Sequence, residues 1–88
     1  MNMSDDLNLA KNQIAIYTQW LNNKPNEENF LVYYLALKSF SKQYEKEYGY
    51  KPKILIDQFM SCLSQEVIDK YKDRLPLGEN VVPFEDEE

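Results

Sequence analysis

Residues 26–49 read NEENFLVYYLALKSFSKQYEKEYG, and this stretch determines the architecture that the sequence predicts. Asn26 is a favourable N-cap residue, and Glu27 and Glu28 suit the positive end of a helix that begins there. Apolar residues then recur at helical spacing, at Phe30, Tyr33, Tyr34, Leu37, Phe40, Tyr44 and Tyr48. Gly49 fits the left-handed position that follows many helices. The stretch therefore predicts one long helix.

The two halves of this helix differ in their surroundings. In the first half, the positions beside the stripe are also apolar: Leu31, Val32, Leu35 and Ala36. A helix that is apolar all round is normally central, so residues 30–37 are expected to be the most buried part of the protein. The second half is amphipathic, and three lysines occupy one outer face: Lys38, Lys42 and Lys46.

A helix is also predicted before this stretch. Ser4 is a good N-cap residue. Five apolar residues fall within about 80° of a helical wheel, namely Leu7, Ala10, Ile14, Tyr17 and Leu21. Pro25 ends the helix, because the residue before a proline is pushed out of the helical region.

Two shorter helices are predicted after it. Pro52 suits the first turn of a third helix, with its apolar side formed by Leu55, Ile56, Phe59, Met60 and Leu63. Ser64 caps a fourth helix, whose inward residues are Val67, Ile68, Tyr71 and Leu75. The sequence thus predicts an all-α, compact four-helix domain over residues 1–78, mainly antiparallel, with the second helix central. Residues 79–88 are predicted to form a short, extended acidic tail.

The composition disfavours catalysis and metal binding. The 88 residues include no histidine and one cysteine, Cys62, so the chain lacks the commonest general base and cannot form an internal disulfide. Cys62 lies near a predicted helix C-terminus among apolar residues, and we expect it to be a buried structural thiol. The paired carboxylates occupy helix first turns or polar faces, where solvated acids are expected. We therefore predict no enzyme activity, no cofactor and no metal.

The net charge of −5 is concentrated at one end of the chain. Residues 79–88 contain five acids and no basic residue, so residues 1–78 hold ten acids and ten bases. The helical part is thus electrically balanced. This argues against a folded domain that imitates the dense acidic surface of DNA.

A second apolar stripe on the first helix is a candidate binding surface. It consists of Leu9, Ile16 and Trp20. Either these residues pack on the third or fourth helix, or they form a patch that binds a partner or a second copy. The sequence leaves both possibilities open.

The tail is a second candidate. Val81, Val82, Pro83 and Phe84 precede the acidic run Glu85, Asp86, Glu87 and Glu88. Such a segment can dock through a few apolar residues while its acids steer it toward a basic partner. Alternatively, Val82 and Phe84 fold back on the domain.

A nucleic-acid site is the third candidate. Lys38, Lys42, Lys46, Lys51 and Lys53 cluster in the sequence, with Tyr44, Tyr48 and Tyr50 interleaved. Lysines with aromatic residues can hold phosphates and stack bases. However, Glu45 and Glu47 interrupt the run, and Arg74 is the single arginine. A solvated helix face with local ion pairs is the favoured interpretation.

These patterns favour a non-enzymatic module that binds and modulates, for example inhibits, a larger protein. Its abundance of Asn, Lys and Tyr suits an A/T-rich genome such as that of a phage or mobile element. The alternatives are a nucleic-acid-binding accessory subunit and a structural helical homo-oligomer. The acidic N-terminus lacks a signal-peptide pattern, and no apolar run is long enough to cross a bilayer, so we expect a cytoplasmic protein without membrane partners.

Overall fold

The computed structural model describes residues 5–76 of the chain. Its four helices are α1 (Asp5–Asn23), α2 (Glu27–Tyr48), α3 (Lys53–Met60) and α4 (Gln65–Tyr71). Residues 5–76 contain no strand, which confirms the predicted all-α class. The predicted Ser4 cap and the tail of residues 79–88 lie outside the described residues.

The helix boundaries follow from local capping interactions. The Asn26 side chain accepts a hydrogen bond from the backbone N–H of Asn29 at 2.8 Å, and the Ser64 hydroxyl accepts one from the backbone N–H of Val67 at 3.3 Å. Gly49 takes the left-handed conformation, with φ of 87°, and its N–H donates to the Glu45 carbonyl. These three predicted helix ends are confirmed.

α1 and α2 form an antiparallel pair. The end of α1 meets the start of α2, where the Asn29 side-chain amide donates to the backbone carbonyl of Lys24 at 2.9 Å. Burial is greatest along the stripes predicted from helical spacing, at Leu7, Ile14, Leu21, Phe30, Tyr33, Leu37 and Phe40. Thr18 and Ser41 are the buried polar residues of the described part.

α3 and α4 close the core through aromatic contacts with α2. The Phe40 ring meets Phe59 of α3 edge-on, with centroids 5.1 Å apart. The Phe30 ring stacks on Tyr71 of α4 at 4.3 Å. α2 therefore touches all three other helices, as its predicted central position requires. Leu75, predicted to face inward from the fourth helix, is buried in the turn that follows α4.

The expectation that residues 30–37 are the most buried segment is wrong on one side of α2. Phe30, Tyr33 and Leu37 are fully buried, but Leu31 is 42% exposed and Leu35 is 60% exposed. The three neighbouring helices cover only part of the circumference of α2. An apolar sequence on every side therefore does not make a helix buried on every side.

The expectation that Cys62 is buried is also wrong. Cys62 lies in the turn between α3 and α4, and its side chain is exposed. The Asn22 side chain fixes this turn, since it donates to the Cys62 carbonyl at 3.0 Å and accepts from the Ser64 N–H at 2.8 Å. The Cys62 thiol donates to the Gln58 carbonyl at 3.8 Å.

Candidate protein-binding face

The second apolar stripe of α1 lies on the surface. Leu9 is 61% exposed, Ile16 48% and Trp20 51%. α3 approaches α1 from a different side, where Phe59 and Cys62 face Ile14, Thr18 and Asn22. Because about half or more of each of these side chains is exposed, the stripe is not buried under α3 or α4, and the surface alternative remains.

The exposed leucines of α2 extend this stripe across the α1–α2 pair. A shallow groove between the helices is lined by Tyr17 of α1 and by Val32, Leu35 and Ala36 of α2. The Tyr17 ring meets Trp20 edge-on, with centroids 5.1 Å apart. We call the resulting surface the apolar face; it consists of Leu9, Ile16, Tyr17, Trp20, Leu31, Val32 and Leu35.

The α2 half of the apolar face was not predicted from the sequence. Leu31 and Leu35 share one side of α2 with Lys38, Lys42 and Lys46, all five within about 80° of a helical wheel. Lysines in line with apolar residues indicate a solvent-facing side, because lysine is almost never fully buried without a partner. The lysines thus indicated that Leu31 and Leu35 are exposed, but the apolar residues around them led to the prediction that they are buried.

The five candidate lysines do not form one cluster. Lys51 pairs with Glu45 at 3.3 Å, and Lys53 pairs with Asp57 at 3.6 Å. Lys38, Lys42 and Lys46 instead line a shallow depression together with Leu35, Ser39 and Gln43. The structure thus separates three lysines on the outer side of α2 from two that are engaged near the start of α3.

The tyrosines do not interleave with these three lysines. Tyr44 lies about 160° around α2 from the middle of the lysine side. Its ring packs on Tyr48 at 4.5 Å and on Tyr50 at 5.6 Å, between ring centroids. The hydroxyls of Tyr44 and Tyr50 are hydrogen-bonded at 3.1 Å, which raises the pKa of Tyr44 to about 12. The base-stacking platform that the sequence suggested is not formed beside the lysines.

The carboxylates of residues 5–76 are exposed or partly exposed, and one forms a bidentate ion pair. Arg74, which follows α4, donates two hydrogen bonds of 2.8 Å to the carboxylate of Glu27. This bidentate bond lowers the pKa of Glu27, and the Arg74 guanidinium also lies 4.5 Å from the centroid of the Phe30 ring. The pair ties the segment after α4 to the first turn of α2.

The groove between α1 and α3 lies beside the exposed thiol. It has a volume of about 390 Å³, and Lys11 is its single charged lining residue. Of residues 5–76, no carboxylate lines this groove with Cys62. Among residues 5–76 we find no group of three His, Cys, Asp or Glu side chains placed to hold a metal ion.

Comparison of the chain with protein families, with curated proteins and with solved structures finds no match. Within the described residues, no helix is long and apolar enough to span a membrane. The inference about function therefore depends on the surface of the molecule itself.

Proposed function

We propose that this protein is a non-enzymatic interaction module that binds and modulates a larger protein through the apolar face. The observation that supports this is the alignment of exposed large side chains from both α1 and α2, joined by Tyr17 and Val32. Soluble monomers rarely expose a contiguous apolar patch of this kind unless it associates with something. Trp20 is its natural anchor, because tryptophan is enriched among residues that dominate binding energy.

We further propose that the protein acts in the cytoplasm, and that its modulation of the partner is inhibitory, as in proteins that phages and mobile elements direct at host targets. A single cysteine, exposed in the structure, suits a reducing compartment. The asparagine-, lysine- and tyrosine-rich composition supports an origin in a phage or mobile element.

The experiment is affinity capture from the native host lysate with three full-length proteins: wild type, Trp20→Ser and Gln19→Ser. Both serine variants change an exposed residue of α1, but Gln19 lies about 100° around the helix from Trp20. Wild type and Gln19→Ser should retain the same partner. Loss of an anchor tryptophan costs about 2 kcal/mol or more, so Trp20→Ser should weaken binding at least about 30-fold.

Two results would contradict the proposal. One is a partner retained equally by Trp20→Ser and wild type, with both folded by circular dichroism. The other is a self-associated protein whose mass in sedimentation rises with concentration, falls to that of a monomer in Ile16→Asp, and is accompanied by no captured partner. The second result would establish the structural homo-oligomer instead.

A further inference from the structure

One side of α2 changes its chemistry in a fixed order from the start of the helix to its end. The order is two acids, two leucines and three lysines: Glu27, Glu28, Leu31, Leu35, Lys38, Lys42 and Lys46. These seven residues fall within about 100° of a helical wheel, so they form one continuous strip. Glu45 lies at the edge of the same side, where it is paired with Lys51 at 3.3 Å. We call this the α2 strip.

Within residues 5–76, the leucines of the α2 strip are not covered and its lysines have no carboxylate partner. Leu31 and Leu35 are exposed. None of its three lysines forms an ion pair with a carboxylate of the described residues, whereas Lys51 and Lys53 do. The strip therefore suits an extended peptide that carries apolar side chains first and acidic side chains after them.

The chain contains one segment with that order. Residues 81–84 read VVPF and residues 85–88 read EDEE, so four apolar residues are followed by four acids. On a strip that begins with Glu27 and Glu28, acids are repelled from the start of α2 and attracted to its lysine end. Charge thus favours docking in which residues 81–88 run in the same direction as α2.

The last described residues lead to the correct end of the strip. Arg74 binds Glu27, and Glu27 precedes Leu31 by one helical turn, about 6 Å along the axis. Residues 77–80 can bridge up to about 13 Å. From Leu31 to Lys46 the strip is about 22 Å long, and eight extended residues reach about 26 Å. The length of residues 81–88 is therefore sufficient for the α2 strip, and the chain approaches the strip from the end that holds the leucines.

We propose that residues 81–88 dock along the α2 strip of the same molecule, with Val82 and Phe84 at Leu31 and Leu35 and the acidic run at the lysines. This proposal does not depend on the proposed function.

The test is paramagnetic broadening in the full-length chain. A spin label is attached at Glu88→Cys in a Cys62→Ser background, and amide intensities are measured by NMR. Lys42 and Lys46 should lose most of their amide intensity, while Lys11 on α1 keeps its own. Because the contact is largely electrostatic and exposed, the intensities should recover as salt is raised.

Three variants keep this test decisive. Reversal of Lys38, Lys42 and Lys46 to Glu should abolish the broadening, whereas reversal of three exposed lysines elsewhere, Lys11, Lys24 and Lys72, should not. Val82→Ser with Phe84→Ser should also abolish it, and this change leaves residues 5–76 intact. Circular dichroism confirms that each variant is folded.

The proposal is overturned if the amides of α2 are broadened no more than those of α1, or if lysine reversal leaves the broadening unchanged. It is also overturned if broadening appears only in a mixture of isotope-labelled chains with separate spin-labelled chains, since that places the tail on a second copy. None of these outcomes depends on capturing the partner of the apolar face.

Discussion

Tyr33 is the residue whose chemistry is least satisfied by its surroundings. It is fully buried in α2, and its hydroxyl has no hydrogen-bond partner among residues 5–76. The Thr18 hydroxyl lies nearby and donates to the carbonyl of Ile14 at 2.7 Å. A buried hydroxyl without a partner costs free energy that the ring's burial must offset.

Replacement of Tyr33 by Phe should therefore leave the free energy of unfolding unchanged or raise it by up to about 1 kcal/mol. Urea denaturation measures this directly. Tyr17→Phe, at a half-buried position, is the matched control and should differ little from wild type. A loss of more than about 1 kcal/mol in Tyr33→Phe would show that the hydroxyl is bonded after all.

The same substitution should change how stability depends on alkaline pH. Burial raises the pKa of Tyr33, so the folded protein keeps a proton that the unfolded chain releases near pH 10. Stability is thus complete below about pH 10 and falls as the pH rises further. Tyr33→Phe should flatten this fall but not remove it, because the pKa of Tyr44 is raised to about 12. An identical slope in the variant, measured by urea denaturation at several alkaline pH values, would contradict this account.

At the scale of the helices, Asn22 couples α1 to the α3–α4 turn. Its two hydrogen bonds, to the Cys62 carbonyl and from the Ser64 N–H, span more than half of the described sequence. Asn22→Ala should lower the free energy of unfolding by about 1–2 kcal/mol, because both turn groups lose their partner. Asn23→Ala, at the exposed neighbouring position, should have a much smaller effect in the same urea titration. Equal effects would show that the bridge contributes nothing.

The sequence predicted those parts of each helix that depend on neighbouring residues. Asn26, Gly49 and Ser64 act within one turn of chain, so their roles can be identified from residue type alone. Asn22 cannot, because its partners lie forty residues or more away. The exposure of Cys62 was not predicted for a similar reason, because the turn that carries it is held by Asn22, forty residues away.

At the scale of the whole molecule, exposure depends on how many helices surround α2. The apolar pattern fixes which residues can be buried, but α1, α3 and α4 leave one side open. Leu31 and Leu35 lie on that open side. Their side chains are therefore exposed, although the sequence pattern around them is typical of a core. Trp20 could be singled out from its position on a second stripe, but the choice between packing and exposure needed the placement of all four helices.

Trp20 can show whether the apolar face binds the partner. It is the single tryptophan of the chain, so fluorotryptophan gives one fluorine resonance. The change in its shift between H₂O and D₂O measures contact with solvent, without and with the captured partner. We expect a large solvent shift in the free protein, where Trp20 is half exposed, and its near disappearance in the complex. A stable complex in which the Trp20 resonance keeps its full solvent shift would contradict the account.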